Sequence, residues 1–82
     1  MTLPIDKRIE DFTTRLRAAS IYYTLGSVRD GYTMVSIAVP GERWEVEFEV
    51  SGDVEVEVFK SDGVIRGAEA LARLFERFSD AT

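Results

Sequence analysis

The pattern of apolar and polar residues begins with a helical period. Apolar side chains recur every three or four positions near the start of the chain, with charged residues between them. These apolar residues are Ile5, Ile9, Phe12, Leu16 and Ala19. The spacing predicts an amphipathic helix over residues 4 to 19. Pro4 is expected at its first position, where the N–H that proline lacks would have no partner.

The middle of the chain changes to patterns typical of strands. Residues 21 to 28 are rich in β-branched and aromatic side chains, and residues 32 to 39, 43 to 50 and 54 to 59 alternate between two faces. The turn sequences between these segments are Arg29-Asp30-Gly31, Pro40-Gly41 and Ser51-Gly52-Asp53. We therefore predict four strands joined by short turns.

The helical spacing returns near the end of the sequence. Its apolar residues are Leu71, Leu74, Phe75 and Phe78. They predict a second helix over residues 68 to 79, with Gly67 as its cap. Because short turns favour a meander and both helices must bury their apolar faces, we predict one α+β domain over residues 1 to 82. Its fold is a two-layer sandwich, a four-stranded antiparallel meander with the N- and C-terminal helices packed on one face.

The apolar residues also predict the register of the last hairpin, because they must share the core face. The predicted pairs on that face are Val50 with Val54, Phe48 with Val56 and Val46 with Val58. The resulting pairs on the opposite face are Glu49 with Glu55 and Glu47 with Glu57. Directly opposed carboxylates repel each other, by roughly 0.2–1 kcal/mol a pair.

The second and third strands are predicted to pair Ile37 with Trp44, which places Met34 beside Glu47. No lysine or arginine offsets the glutamates in this register. The side chains that we expect to be buried are Val46, Phe48, Val56, Val58, Leu71 and Leu74.

The charge of the chain is distributed unevenly. The net charge is −5, yet residues 42 to 59 alone carry −6, and the rest of the chain sums to +1. The outer sheet face is therefore expected to hold acidic residues beside uncharged tyrosine and methionine side chains. The candidate partner-binding residues on this face are Tyr22, Tyr32, Met34, Glu45, Glu47, Glu49, Glu55 and Glu57.

Two interpretations of this outer face remain open. Glutamate on an exposed strand prevents aggregation and edge pairing, so the acids can serve solubility alone. Glutamate is, however, a poor strand former, and alternating signs would serve solubility as well. The acids can instead form a binding face for a basic protein, since complementary charge speeds encounter and selects partners.

The composition excludes several functional classes. The chain has no cysteine and no histidine, so it lacks thiol nucleophiles and disulfides, the commonest general base and the commonest transition-metal ligand. Catalytic carboxylate pairs lie in clefts with unequal environments, which a flat, open sheet does not provide. We therefore expect a protein that is not an enzyme and that binds no cofactor or metal.

The charge and the hydropathy pattern also bear on location. The negative net charge argues against nucleic-acid binding, which requires a basic surface. No segment approaches the roughly 20 apolar residues of a membrane span, and the first residues do not have the pattern of a signal peptide. We expect a cytoplasmic protein that does not bind membranes.

The hairpin of the third and fourth strands resembles known proteins. The segments that carry the resemblance are Val39-Pro40-Gly41-Glu42-Arg43-Trp44-Glu45-Val46-Glu47-Phe48, Val54-Glu55-Val56-Glu57-Val58-Phe59 and Ser61-Asp62-Gly63. They resemble a group of short uncharacterised bacterial proteins, which looks like the small acidic immunity proteins that protect bacteria from polymorphic or contact-dependent toxins. The resemblance implies a cytoplasmic inhibitor that blocks a basic toxin nuclease by charge complementarity.

The functional hypothesis is a non-enzymatic protein-binding module, most concretely an immunity-like inhibitor that masks a basic partner. One alternative is a small acidic chaperone or assembly subunit that acts as a dimer and holds a client segment. Another is a structural domain whose acids serve solubility. Because residues 21 to 25 carry no charge at a sheet edge, we also expect a homodimer, or addition of a partner's strand, through this segment.

Overall fold

The structure, a computed structural model, describes residues 3–27 and 29–78. Its elements in chain order are α1 (Ile5–Ala18), β1 (Tyr22–Gly26), β2 (Tyr32–Val39), β3 (Glu42–Glu49), β4 (Val54–Lys60) and α2 (Glu69–Phe78). The four strands form one antiparallel sheet in the order β1-β2-β3-β4. The predicted α+β class and the α-β-β-β-β-α order are confirmed. The predicted ends of the first strand at Val28 and of the second helix at Ser79 lie outside the described residues.

The backbone conformation at the two ends of helix α1 fixes where the helix begins and where the chain turns back. Pro4 has φ −54° and ψ 149°, so it caps the helix from outside, one residue before the position predicted for it. At the other end Ser20 has φ 57°, and the N–H of Ile21 donates to the carbonyl of Leu16 at 2.9 Å. This is the geometry of a Schellman motif, which reverses the chain sharply. The helix is thereby turned back over the sheet.

The hairpin of β2 and β3 has the register that the sequence predicts. Ile37 lies opposite Trp44, and Met34 lies opposite Glu47. Pro40 and Gly41 form the two-residue turn, and Gly41 has φ 77°, as the third position of a type II turn requires. So short a turn leaves little freedom in the pairing, which is why the register could be predicted.

The register predicted for the hairpin of β3 and β4 is wrong by two residues. The observed pairs are Phe48 with Val54, Val46 with Val56, Trp44 with Val58, Glu47 with Glu55, and Glu45 with Glu57. The N–H of Gly52 donates to the carbonyl of Glu49 at 3.0 Å, and Gly52 has φ 109°. Val50 is therefore part of a three-residue loop that ends in a glycine of positive φ, and it does not belong to the strand. Because the shift is even, every side chain keeps its predicted face.

The core lies between α1 and the inner face of the sheet. Its buried apolar residues are Leu16, Val35, Ile37, Val46 and Phe48. The rings of Phe12 and Phe48 are 5.5 Å apart, and a guanidinium nitrogen of Arg8 (Nη2) donates to the carbonyl of Glu49 at 2.7 Å. These contacts join α1 to β3, and α1 also contacts β1. The predicted burial of Val46 and Phe48 is confirmed.

The predicted packing of α2 on the sheet is not observed. Among the described residues, α2 has no contact with any other element. Leu71 and Leu74 are 60% and 49% exposed, and Val56 and Val58 are 54% and 38% exposed, so the burial predicted for these four residues is wrong. Residues 61–68 join β4 to α2, and within the described structure the hydrogen bonds made by side chains in this segment link its residues only to each other and to Glu69. Helix α2 thus follows a connection with local side-chain bonds and lies away from its own sheet.

In the part of the chain that the structure describes, no helix is long and apolar enough to cross a membrane.

Candidate functional site: the acidic face of the sheet

The outer face of the sheet is built from rows of directly paired residues. One row joins Thr24, Ser36, Glu45 and Glu57, and the next joins Gly26, Met34, Glu47 and Glu55. At the end of the sheet, Tyr32 lies opposite Glu49. We call Glu45, Glu47, Glu49, Glu55 and Glu57 the acidic face. The register brings all five predicted acids onto neighbouring positions of β3 and β4.

Two pairs of glutamates face each other directly across these strands. They are Glu45 with Glu57 and Glu47 with Glu55, in place of the pairs predicted from the sequence. Side chains at such positions have Cβ atoms about 5 Å apart, so each pair carries a repulsive interaction. A shallow depression of about 230 Å³ lies among these four residues and Met34.

One of these acids has a cation that the sequence interpretation missed. A guanidinium nitrogen of Arg29 (Nη2) lies 3.3 Å from Oε1 of Glu47, whose side chain is only 13% exposed. Arg29 belongs to the connection between β1 and β2, which reaches the same end of the sheet as Glu47. The prediction that no lysine or arginine offsets the glutamates is therefore wrong for Glu47. Within residues 3–27 and 29–78, no ion pair within 4.0 Å involves Glu45, Glu55 or Glu57.

Tyr32 joins the acidic face to Arg29. The guanidinium carbon of Arg29 lies 3.7 Å from the centroid of the Tyr32 ring, a cation–π arrangement. The pKa of the Tyr32 phenol is raised above 10.0, because the phenol hydrogen-bonds to the Glu49 carboxylate and the phenolate would face negative charge. The phenol thus keeps its proton and can donate a hydrogen bond.

Tyr22 lies apart from the acids, although the sequence groups it with them. It is 69% exposed and occupies a corner row with Ala38, Arg43 and Phe59. The guanidinium of Arg43 lies 4.5 Å from the centroid of the Phe59 ring in this row. The outer face therefore has an acidic region, and a separate corner that is aromatic and basic.

The chemistry available on the acidic face is that of hydrogen-bond acceptors. Each ionised carboxylate accepts hydrogen bonds from lysine or arginine, and bidentate arginine contacts are the strongest of these. In the described part of the chain, no group of three or more acidic side chains has the arrangement needed to hold a metal ion. The geometry favours recognition of several cations spread over a surface.

The inner face has a second feature that was not predicted, an open apolar groove of about 590 Å³. Its lining includes Phe12 and Leu16 of α1, Trp44 of β3 and Val54 and Val56 of β4. The indole N–H of Trp44 donates to Oε1 of Glu42 at 2.9 Å, at the rim of this groove. The sequence gives no signal for it, because the strand alternation indicates only that these residues should be covered.

No model of a protein family, no curated protein and no solved structure matches this chain. The resemblance to small acidic immunity proteins therefore stays a prediction.

Proposed function

We propose that the protein is a non-enzymatic binding module of the cytoplasm whose acidic face takes a basic partner protein. The observation that carries the proposal is the pairing of four glutamates in two directly opposed pairs, with only Glu47 in an ion pair within the described residues. Such pairs lower the stability of the isolated sheet. A partner that places lysine or arginine between them removes this repulsion on binding.

The surroundings of the acids support a protein ligand. Met34 lies opposite Glu47 and Tyr32 lies opposite Glu49, so apolar surface and an aromatic ring adjoin the carboxylates. Interfaces are enriched in tyrosine, methionine and arginine relative to the rest of a protein surface. We infer a partner with a basic patch, in the manner of an immunity-like inhibitor that masks the active surface of a basic toxin.

The test begins with a capture experiment with the full chain as bait. The chain is immobilised, exposed to native lysate at low salt and eluted at high salt, and the retained proteins are identified by mass spectrometry. We expect a retained protein that is basic. Its binding to the free chain is then titrated at several salt concentrations.

The decisive variant is Glu45→Gln combined with Glu57→Gln, which removes two charges and leaves the pair of Arg29 and Glu47 in place. The matched control is Glu10→Gln combined with Glu76→Gln, which removes the same charge from the two helices. We expect the acidic-face variant to bind at least about tenfold more weakly, with a reduced salt dependence, and the control to bind like the parent. Equal losses in both variants, or the absence of a basic protein among those retained, would refute the proposal.

A further inference from the structure

Helix α2 has an apolar face against which none of the described elements packs. Leu71, Leu74, Phe75 and Phe78 lie on one side of the helix, and the two phenylalanines are 68% and 70% exposed. A ten-residue amphipathic helix is marginal in water unless its apolar face is buried. In the described structure, this face makes no contact with the sheet.

The open groove of the inner sheet face has exposed apolar side chains on β3 and β4, which no described element covers. Val54, Val56 and Val58 of β4 are between 38% and 54% exposed, and Trp44 is 37% exposed. These side chains span about 14 Å along the strand. Helix α2 has ten residues and is about 15 Å long, so its length matches the uncovered row.

The connection between β4 and α2 is held by its own hydrogen bonds. The carboxylate of Asp62 accepts from a guanidinium nitrogen of Arg66 (Nη2) at 2.7 Å and from the N–H of Val64 at 2.8 Å. The N–H of Ser61 donates to the carbonyl of Gly41 at 2.9 Å, which continues the strand ladder past Lys60. The segment is therefore an ordered arm. The radius of gyration of the Cα atoms is 16.4 Å, whereas a compact chain of this length has a radius of about 12 Å. The structure is therefore more extended than a compact domain.

We propose that the groove binds α2 of a second copy, so that two chains exchange their C-terminal helices in a symmetric dimer. Each chain supplies one apolar helix face and one apolar groove, and a twofold axis satisfies both at once. The occupant is a second copy because α2 lies off its own sheet, and its apolar face and its length match the uncovered row of another chain. This interface uses the inner sheet face and does not involve the acidic face.

The area available is consistent with a stable dimer. A fully buried aromatic side chain removes about 150–250 Å² from water, so the four phenylalanines of two helices contribute roughly 550 Å² at their observed exposure. The four leucines and the two grooves add a comparable area or more. The total is therefore about 1,100 Å² or more, which is close to the roughly 1,200–2,000 Å² of specific protein interfaces.

The test is the oligomeric state of the full chain and of two complementary variants, measured by light scattering over a range of concentrations. Phe75→Glu places a charge on the helix face, and Val56→Glu places one in the groove. Val50→Glu is the matched control, because Val50 is 62% exposed in the turn between β3 and β4 and lies outside the groove. Circular dichroism checks that each variant keeps its sheet.

We expect the parent and the control to form dimers of twice the 9.2 kDa chain mass. Each groove or helix variant alone should dimerise roughly 30-fold or more weakly. Mixing Phe75→Glu with Val56→Glu should restore a dimer, because the mixed pair has one intact helix facing one intact groove. A monomeric parent, a dimer insensitive to both variants, or a mixture that stays monomeric would overturn the proposal.

A double cysteine variant tests the proposal even if the charged variants fail to fold. The chain contains no cysteine, so Val56→Cys combined with Phe75→Cys introduces a unique pair. Oxidation should yield covalent dimers on a non-reducing gel if helices are exchanged. A crosslinked species of monomer mass would show that α2 closes on its own groove and would overturn the proposal.

Discussion

The two halves of the inner sheet face have similar sequences and different environments. Val46 of β3 and Val56 of β4 lie directly opposite each other on this face, yet Val46 is 5% exposed and Val56 is 54% exposed. Helix α1 covers the first, and no described element covers the second. The alternation of apolar residues therefore specifies which face requires cover, and it does not specify what provides the cover.

The two helices explain this difference. Both are amphipathic, but α1 ends at Ala18, only a few residues before β1 begins at Tyr22, and the positive φ of Ser20 returns it to the sheet. Eight residues separate the end of β4 from α2, and the hydrogen bonds of their side chains in the described structure are local. The length and the bonding of the connection, more than the apolar pattern of the helix, distinguish the helix that packs on its own sheet from the helix that does not.

The largest expected effect contrasts one phenylalanine in each region. Phe48→Ala should lower the free energy of unfolding by about 3–5 kcal/mol, because the ring is buried against Phe12. Phe75→Ala should change it by less than about 0.5 kcal/mol at a concentration where the chain is monomeric. Urea denaturation measures both. Similar losses for the two variants would place α2 on its own sheet and remove the contrast.

A smaller effect concerns the two glutamate pairs of the acidic face. Glu57→Gln should raise the free energy of unfolding by roughly 0.2–1 kcal/mol, because it relieves the repulsion with Glu45. Glu47→Gln should give no such gain, because it also removes the ion pair with Arg29. Denaturation at low and high salt measures both changes, and added salt should reduce the difference. A loss of stability in Glu57→Gln would reveal a cation that pairs with this residue.

The smallest effect is the titration of Tyr32. Its pKa is raised above 10.0 by the hydrogen bond to Glu49, so the folded chain holds the phenol proton more tightly than the unfolded chain does. The stabilisation is complete below pH 10 and is lost as the pH rises through the raised pKa. In a chain with Tyr22→Phe and Tyr23→Phe, phenolate absorbance reports Tyr32 alone. Adding Glu49→Gln should lower this pKa, and an unchanged titration would contradict the assignment.

The sequence predicts the elements and their faces because both follow from local periodicity. The pairing of Ile37 with Trp44 is predictable because a two-residue turn fixes it, and the register around Val50 is not, because Gly52 extends the loop. An error of two residues leaves the glutamates on the outer face. The acidic composition of that face is therefore predictable, whereas the identity of each opposed pair is not.

The partner of Glu47 and the position of α2 do not follow from the apolar pattern of the sequence. Arg29 reaches Glu47 from a connection 18 residues away in the chain, and only its position at the same end of the sheet as Glu47 could have indicated the pair. Helix α2 follows an arm in which Asp62 and Arg66 pair with each other, and it lies away from its own sheet. Periodicity contains no information on either contact, because it reports only the average environment of a residue.

The most direct test of the proposed helix exchange uses the single tryptophan of the chain. Trp44 lines the open groove and is 37% exposed, so its emission reports whether the groove is covered. We predict that raising the protein concentration shifts its emission to shorter wavelength and reduces its quenching by acrylamide. The Phe75→Glu variant should keep the emission of the dilute parent. Emission that is the same at every concentration, and the same in parent and variant, would contradict the account.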